Sequence, residues 1–296
     1  MFDEREDVVE KIGLIKYHCS NCNASFFTSG KNTFNNCILC NSSELEKEDF
    51  SVNKSIKIIP FKKEYKDAVA DYNKKVKINP LVPMEFKKKK NFATLQKIYV
   101  PTLITNISMS GDIEFIGAEK GNTYKDTVLE NKKYDIVQKV DFNYNDVLLK
   151  ISSKVDDDIF NIISNYDYFN IVDIDSDYFD DSYYLNEDIS LNDISKNGKE
   201  NIINHAMKLI RNNVKHSMKK VKKDSTIVKF ENTRELLVPV YLLKVNYKNK
   251  DYTYIMNGES GKSYINLPIS TINIVIVSVV LFILIFLISF LISYFF

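Results

Sequence analysis

The sequence predicts a multidomain α+β protein. Its expected parts are an N-terminal four-cysteine ribbon, a mixed α+β middle with antiparallel hairpins, and a single C-terminal transmembrane helix. Three observations predict this. All four Cys fall between residues 19 and 40. The last stretch, from Ile269 to Phe296, contains no Asp, Glu, Lys or Arg. Between them, helical and alternating hydrophobic patterns succeed one another. The expected boundaries are a leader at 1–13, the ribbon at 14–50, an α+β cytosolic domain at 51–267 and the anchor at 268–296.

Composition narrows the function classes. Lys plus Arg total 40 and Asp plus Glu 39 in 296 residues, a formal net charge of +1. That balance argues against a strongly basic nucleic-acid binder as the whole-chain identity and against an acidic disordered chain. With 8 Gly and 6 Pro, collagen-like and low-complexity readings are out. Hydrophobic residues make up 45%, enough for a sizeable core.

The N-terminus reads Met1-Phe2-Asp3-Glu4-Arg5-Glu6-Asp7. It is charged and lacks the apolar core of a signal peptide, so the part before the anchor is expected in the cytosol. Next come Cys19-Ser20-Asn21-Cys22 and Cys37-Ile38-Leu39-Cys40. Two residues between thiolates let one tight turn aim both sulfurs at one ion, and two such turns close a tetrahedral shell. Cys19, Cys22, Cys37 and Cys40 are therefore the expected ligands of a structural Zn2+. A closed shell leaves no position for water, so no catalysis is expected there. A disulfide pair is disfavoured in the cytosol. A thioredoxin-like motif needs a βαβ context that this end lacks. A rubredoxin-type iron site uses the same ligands and stays open. Zinc knuckles often carry Gly after the second Cys; here Asn23 and Asn41 stand there, and Asn also tolerates positive φ. His18 reads as a bystander.

The middle opens with a short strand at Ile56–Phe61. Residues 62–77 place Tyr65, Ala68, Val69, Tyr72 and Val76 at helical spacing, and Asn79-Pro80 stops that helix. Strands are expected from Lys97 to about Phe142. The block 141–193 is acidic and irregular. Residues 199–221 are expected to be a helix with Ile203, Met207, Ile210, Val214 and Met218 on one face. Leu236–Tyr247 and Tyr252–Met256 read as paired strands, with a turn at Asn257–Gly261 and a short strand near Lys262–Ile265. Tyr99-Val100-Pro101 echoes Leu237-Val238-Pro239, each Val-Pro opening an apolar strand.

Charge is segregated. Residues 54–97 are rich in Lys, residues 141–193 in Asp. The plain expectation is surfaces that pair with one another. Contact of the basic stretch with anionic lipid or with a phosphate backbone are the functional alternatives. Asp173-Ile174-Asp175-Ser176-Asp177 lacks the Gly and Glu of a calcium loop, Tyr178 and Tyr184 standing in their places. His205 and His216 sit too far apart on a helix to share an ion. No GxSxG, P-loop, HExxH or GxGxxG occurs, and Gly258–Lys262 reads as a hairpin turn.

The anchor is long enough to span a bilayer core, which takes about 20 apolar helical residues. Each Leu, Ile, Phe or Val contributes about −0.3 to −0.6 kcal/mol at the helix centre, which outweighs the few Ser, Thr and Asn. An isolated strand in lipid would leave its backbone unsatisfied, so the span is a helix. Lys248, Lys250 and Lys262 precede it and no Lys or Arg follows, in keeping with a cytosolic N-terminal side. The expectation is a tail anchor in the cell membrane.

The order of short motifs carries a resemblance. The four-cysteine ribbon is followed by Ile59-Pro60-Phe61 before a helix, then Leu81-Val82-Pro83-Met84-Glu85-Phe86 and Ile98-Tyr99-Val100-Pro101. Leu237-Val238-Pro239-Val240-Tyr241, Met256–Lys262, Leu267-Pro268-Ile269-Ser270 and the terminal span complete it. This layout resembles bacterial TFIIB-type zinc-ribbon membrane proteins, some called primosomal-helicase-like. The resemblance implies a membrane anchor for a phage-shock-protein-A-type membrane-remodelling partner, and it carries over only the four Cys as functional residues. The Trp usual after Val-Pro is absent; Thr102-Leu103 and Val240-Tyr241 take its place. The expected function is a non-enzymatic tail-anchored adaptor with a protein partner, held in the bilayer through 269–296. No small-molecule substrate is expected. A membrane-tethered nucleic-acid binder is the alternative.

Overall fold

The computed structural model describes residues 11–31, 33–53, 55–87, 95–118, 133–190, 192–194, 196, 217–248 and 250–295. These fall into two compact units. The first takes its residues from within Met1–Pro101, Ser152–Asn186 and Leu236–Phe296, the second from within Thr102–Ile151 and Glu187–Glu235. The expected ribbon segment thus shares a unit with parts of the expected 51–267 domain, and the rest of that domain forms the second unit.

In the first unit, β1 (Lys11–Cys19) lies antiparallel between β2 (Ala24–Thr28) and β3 (Leu45–Asn53). The short β4 (Lys57–Ile58) follows, then helix α1 (Tyr65–Ile78). Strand β5 (Gln96–Ala118) begins in this unit and continues past Pro101 into the second. Its antiparallel partner, β6 (Lys133–Lys150), lies in the second unit. After α2 (Asp157–Ile163) come two short strands, β7 (Val172–Asp173) and β8 (Tyr183–Leu185). Strand β9 (Ser217–Asp224) belongs to the second unit. Strand β10 (Ile227–Tyr247) leads from the second unit into the first, where β11 (Lys250–Asn257) and β12 (Ser263–Ile265) complete the sheet. The strand order is β12-β11-β10-β5-β8-β2-β1-β3.

The ribbon strands are built into this sheet by aromatic packing. All five residues of β2 are buried. Phe26 and Phe27 pair in register with Leu185 and Tyr184 of β8, and Phe27 stacks on Tyr184 at 4.3 Å. Phe27, Ile12, Leu14 and Val52 then share one apolar cluster with Ile58, Tyr99, Ile174, Phe179 and Leu237. Burying a side chain of this size contributes about 1.5–3 kcal/mol.

Helix α1 covers the other end of the sheet. Glu64 and Asp67 form a capping box at its start, satisfying orphan N–H groups of the first turn. Ala68, Tyr72 and Val76, spaced by four, bury one face against Tyr241, Leu243, Tyr254 and Met256. The Tyr254 hydroxyl donates to the Ala68 carbonyl at 3.1 Å. Asn79 takes an extended conformation and Pro80 follows, so the helix ends there. The Asn79 side-chain oxygen accepts from Leu81 N at 2.9 Å and tightens the next turn.

In the second unit, Thr102–Ala118 of β5 pairs with β6 from Thr102↔Lys150 to Ala118↔Lys133, with an irregularity between Thr105 and Ile107. Strand β9 pairs with β5 at residues 113–118. Met109, Ile113, Phe115 and Val140 form its core. At Gly111 (φ 138°) an added Cβ would sit 2.6 Å from the Ser225 carbonyl oxygen, so the close backbone approach there requires glycine.

Several expectations shift. The strand at 56–61 shrinks to Lys57–Ile58; Ile59 N still donates to Leu237 O at 2.9 Å, but Pro60 has no N–H to continue. The acidic block is less irregular than expected, since β6 runs to Lys150 and α2 is capped by Asp156. Most of the helix expected over 199–221, with His205 and His216, lies outside the described residues. Its last five positions, 217–221, are strand β9, because pairing with β5 overrides the local pattern. Pro101 and Pro239 do not open strands: both lie inside long ones. The segregated charges meet in part: Lys57 pairs with Asp173, and Lys97 with Asp181 at 2.8 Å. Asp175 accepts from Asp177 N and caps a short 3-10 turn.

Candidate metal centre and membrane helix

The four cysteines converge from two turns. Cys19 ends β1, and Cys22 lies in the turn into β2. Cys37 and Cys40 lie on the second turn, before β3. Each turn closes in the same way. Asn23 N donates to Cys19 O and Asn41 N to Cys37 O, both at 2.9 Å. Asn23 (φ 52°) and Asn41 (φ 61°) hold the left-handed conformation that ends each turn. The second turn adds Leu39 N donating to Cys37 Sγ at 3.4 Å.

All four Sγ atoms lie within 4.8 Å of one another. The Cys19–Cys40 and Cys22–Cys37 separations are both 3.7 Å. A disulfide requires about 2.05 Å, and all four cysteines are free. Four sulfurs at about 2.3 Å from a central ion stand about 3.8 Å apart along the tetrahedron edges. The donor set and its spacing therefore fit a metal ion with four thiolate ligands. The expected site residues are brought together without exception.

Electrostatics support the same fit. Burial, with the Cys40 and Cys37 sulfurs adding, pushes the Cys22 thiol up to about 12. Burial likewise raises Cys37. At Cys40, burial also pushes upward, but the Asn21 amide, the Ser42 backbone and the neighbouring thiols outweigh it and bring the thiol down to about 7. Thiolates crowded this closely repel one another, and a divalent cation removes that cost.

Burial is graded across the shell. Cys19 and Cys37 are buried, Cys22 is half-buried and Cys40 is exposed. Supporting groups not anticipated from sequence include Asn21, whose Nδ2 donates to Cys40 Sγ at 3.5 Å. Lys154 Nζ donates to the Cys22 carbonyl at 3.3 Å, from 132 residues away. Asn21's place between the first two cysteines is the signal that could have found it; Lys154 had none. His18 stays out of the cluster, its Nδ1 3.0 Å from Ser25 Oγ.

The second feature is helix α3 (Thr271–Phe295). Across its most apolar 18 residues the mean hydropathy is 3.4, and the 25-residue helix is long and apolar enough to cross a membrane. At 1.5 Å per residue it extends about 37 Å, against a hydrocarbon core of about 30 Å. Its apolar side chains are exposed all round, as lipid contact requires. Ser270 caps it, its Oγ accepting from Asn273 N at 3.3 Å.

The foot of the helix is tied to the folded unit. Ser270 N donates to Leu81 O at 2.9 Å. The Asn273 side-chain amide donates to the carbonyls of Pro80 (3.1 Å) and Val82 (3.0 Å). Asn273, which counts as a cost in a purely apolar span, is thus a connector.

Comparison with protein-family models, with characterised proteins and with solved structures found no match. The geometry defines the class: four cysteines positioned for a metal ion, on a mixed sheet with few helices among the described residues, and one helix able to span a membrane.

Proposed function

We propose that this is a non-enzymatic, single-pass membrane adaptor whose cytosolic part is held folded by zinc and recruits protein partners to the membrane surface. The observation that carries it is the tie between α3 and the folded unit through Ser270 and Asn273. That tie supports presentation of the folded unit at the membrane surface rather than on a loose tether. The tetrathiolate cluster supports a structural role, because four protein ligands leave no open coordination position. Zinc is the ion favoured by a closed four-thiolate set in a reducing compartment. The motif order that resembles TFIIB-type zinc-ribbon membrane proteins points to a membrane-remodelling protein of the phage-shock-protein-A type as the partner. The Lys residues preceding α3 favour the cytosolic orientation.

The test has three parts. Carbonate-washed membranes should retain the full-length protein, and protease added to the cytosolic side should digest the part before α3. The purified protein should contain one zinc per chain. Photo-crosslinking in intact membranes should join wild type to a defined protein neighbour, and Cys37→Ser should lose that neighbour. Crosslinks to nucleic acid instead of protein, or a crosslink pattern unchanged by Cys37→Ser, would overturn the adaptor reading.

A further inference from the structure

The turn that receives the foot of α3 is flanked by exposed apolar side chains. Ile78, the last residue of α1, is 69% exposed, and Met84, just beyond the turn, is 74% exposed. Between them lie Pro80, Leu81 and Val82, whose carbonyls bind the foot of α3. Beside the same turn, Ile269 and Ile272 are also exposed. In water four such residues around one turn carry a cost, whereas scattered ones elsewhere on the surface do not. If α3 crosses a bilayer, its first turn lies at the hydrocarbon boundary. The carbonyls within 3.1 Å of Asn273 Nδ2 are then in the headgroup layer.

Charge around this turn is basic. Between residues 74 and 87 the sequence has Lys74, Lys75, Lys77 and Lys87 against Glu85 alone. Lys75 is engaged, donating to Ser263 O at 2.9 Å and facing Asp71. Lys87 Nζ donates to the Asn79 carbonyl at 3.3 Å, which fixes a cation at the turn itself. Lys77 is exposed, next to Ile78. Apolar side chains flanked by lysines match the boundary between acyl chains and anionic headgroups.

We propose that Ile78–Lys87 forms a second, peripheral contact with the bilayer. Ile78 and Met84 insert beside the foot of α3, and Lys77 and Lys87 meet anionic lipid headgroups. This rests on the reading of α3 as a membrane span. It goes beyond that reading in that a spanning helix alone requires no such contact. Its consequence is orientation: one helix leaves a domain free to swivel, whereas a helix plus a contact on the adjoining turn fixes which face is presented to a partner.

The chain contains no Trp, so single replacements act as clean fluorescent reporters. Full-length Met84→Trp, Ile78→Trp, Tyr65→Trp and Phe286→Trp are reconstituted in vesicles of brominated phosphatidylcholine, with and without phosphatidylglycerol. Phe286 is in the middle of α3 and reports the span. Tyr65 starts α1, about 20 Å along the helix from Ile78. The expected result is strong quenching at Phe286→Trp, with quenching at Met84→Trp and Ile78→Trp several-fold above that at Tyr65→Trp. Phosphatidylglycerol should increase the Met84→Trp signal, and Lys77→Glu with Lys87→Glu in that background should abolish the increase. Quenching at Phe286→Trp with none above Tyr65→Trp at 78 and 84 overturns the peripheral contact and leaves the span intact. No quenching at Phe286→Trp overturns the span itself. Indifference to phosphatidylglycerol overturns the role of the two lysines.

Discussion

Phe27→Ala tests whether the ribbon is structurally independent of the sheet it joins. Phe27 is 2% exposed, stacks on Tyr184 at 4.3 Å and lies 4.7 Å from the Phe50 ring. Removing a buried Phe side chain costs about 3–5 kcal/mol, of which an aromatic pair accounts for about 0.5–1.5 kcal/mol beyond burial. For a unit of this size each kcal/mol shifts the melting temperature by about 2–4 °C, so a fall of about 6–20 °C is expected. The assay is thermal unfolding of the full-length protein in detergent, followed by circular dichroism, with zinc release read in parallel by a metallochromic dye. Phe27→Leu, which keeps most of the volume, should cost only about 1 kcal/mol. The bound metal should leave Phe27→Ala at the temperature at which the sheet melts. A variant that melts within about 2 °C of wild type, or that keeps its zinc through the sheet transition, would refute the reasoning.

Other outcomes follow from single contacts. In the metal-free protein the Cys22 thiol (about 12) and the raised Cys37 thiol hold their protons at neutral pH. A metal ion held by all four thiolates must expel both, so zinc affinity should rise with pH and fall at least about 100-fold per unit below pH 7, measured by competition with a chelator. Asn23→Gly and Asn41→Gly should be neutral, while a β-branched residue at either left-handed position should cost about 1–2 kcal/mol, read as earlier zinc loss on heating. Asn273→Leu leaves the Pro80 and Val82 carbonyls without their donor, costing about 1–3 kcal/mol. Faster hydrogen exchange confined to the Asn79–Pro83 turn would be its signature, and unchanged exchange would count against the tie. Gly258→Ala would place a Cβ 2.4 Å from the Phe61 ring and 2.9 Å from Pro239 Cβ, and should destabilise by about 1–3 kcal/mol in a thermal melt.

The four-cysteine cluster was legible in the sequence because its geometry is local: two C-x2-C turns bring four thiols within reach of one ion, and an Asn marks where each turn ends. Helix α3 was legible because nothing in its run opposes lipid. Helix α1 was legible because its apolar positions recur at helical spacing up to Asn79-Pro80. Strands β10 and β11 were legible as neighbouring apolar runs, and the turn from β11 to β12 through Asn257–Gly261. What escaped depends on partners far along the chain. Nothing near Phe27 announces Tyr184, and nothing near Cys22 announces Lys154. The apolar spacing ending at Met218 suits a helix, yet residues 217–224 are strand because β5 offers them an edge. Pro101 and Pro239 looked like strand openings because a proline interior to a strand is rare, and only the sheet shows where each is tolerated.

The aromatic cluster that unites the ribbon with the sheet also sets a schedule for biogenesis. Cys40 leaves the ribosome about 200 residues ahead of Leu237, the last residue of that cluster to be made. At ordinary rates of synthesis the gap is on the order of 10–40 s. For most of that interval, until Tyr184 is made, Phe27 lacks the ring it stacks on, whereas all four cysteines are already present. Scarcity of the proposed metal should therefore harm newly made chains first, leaving those completed earlier in place.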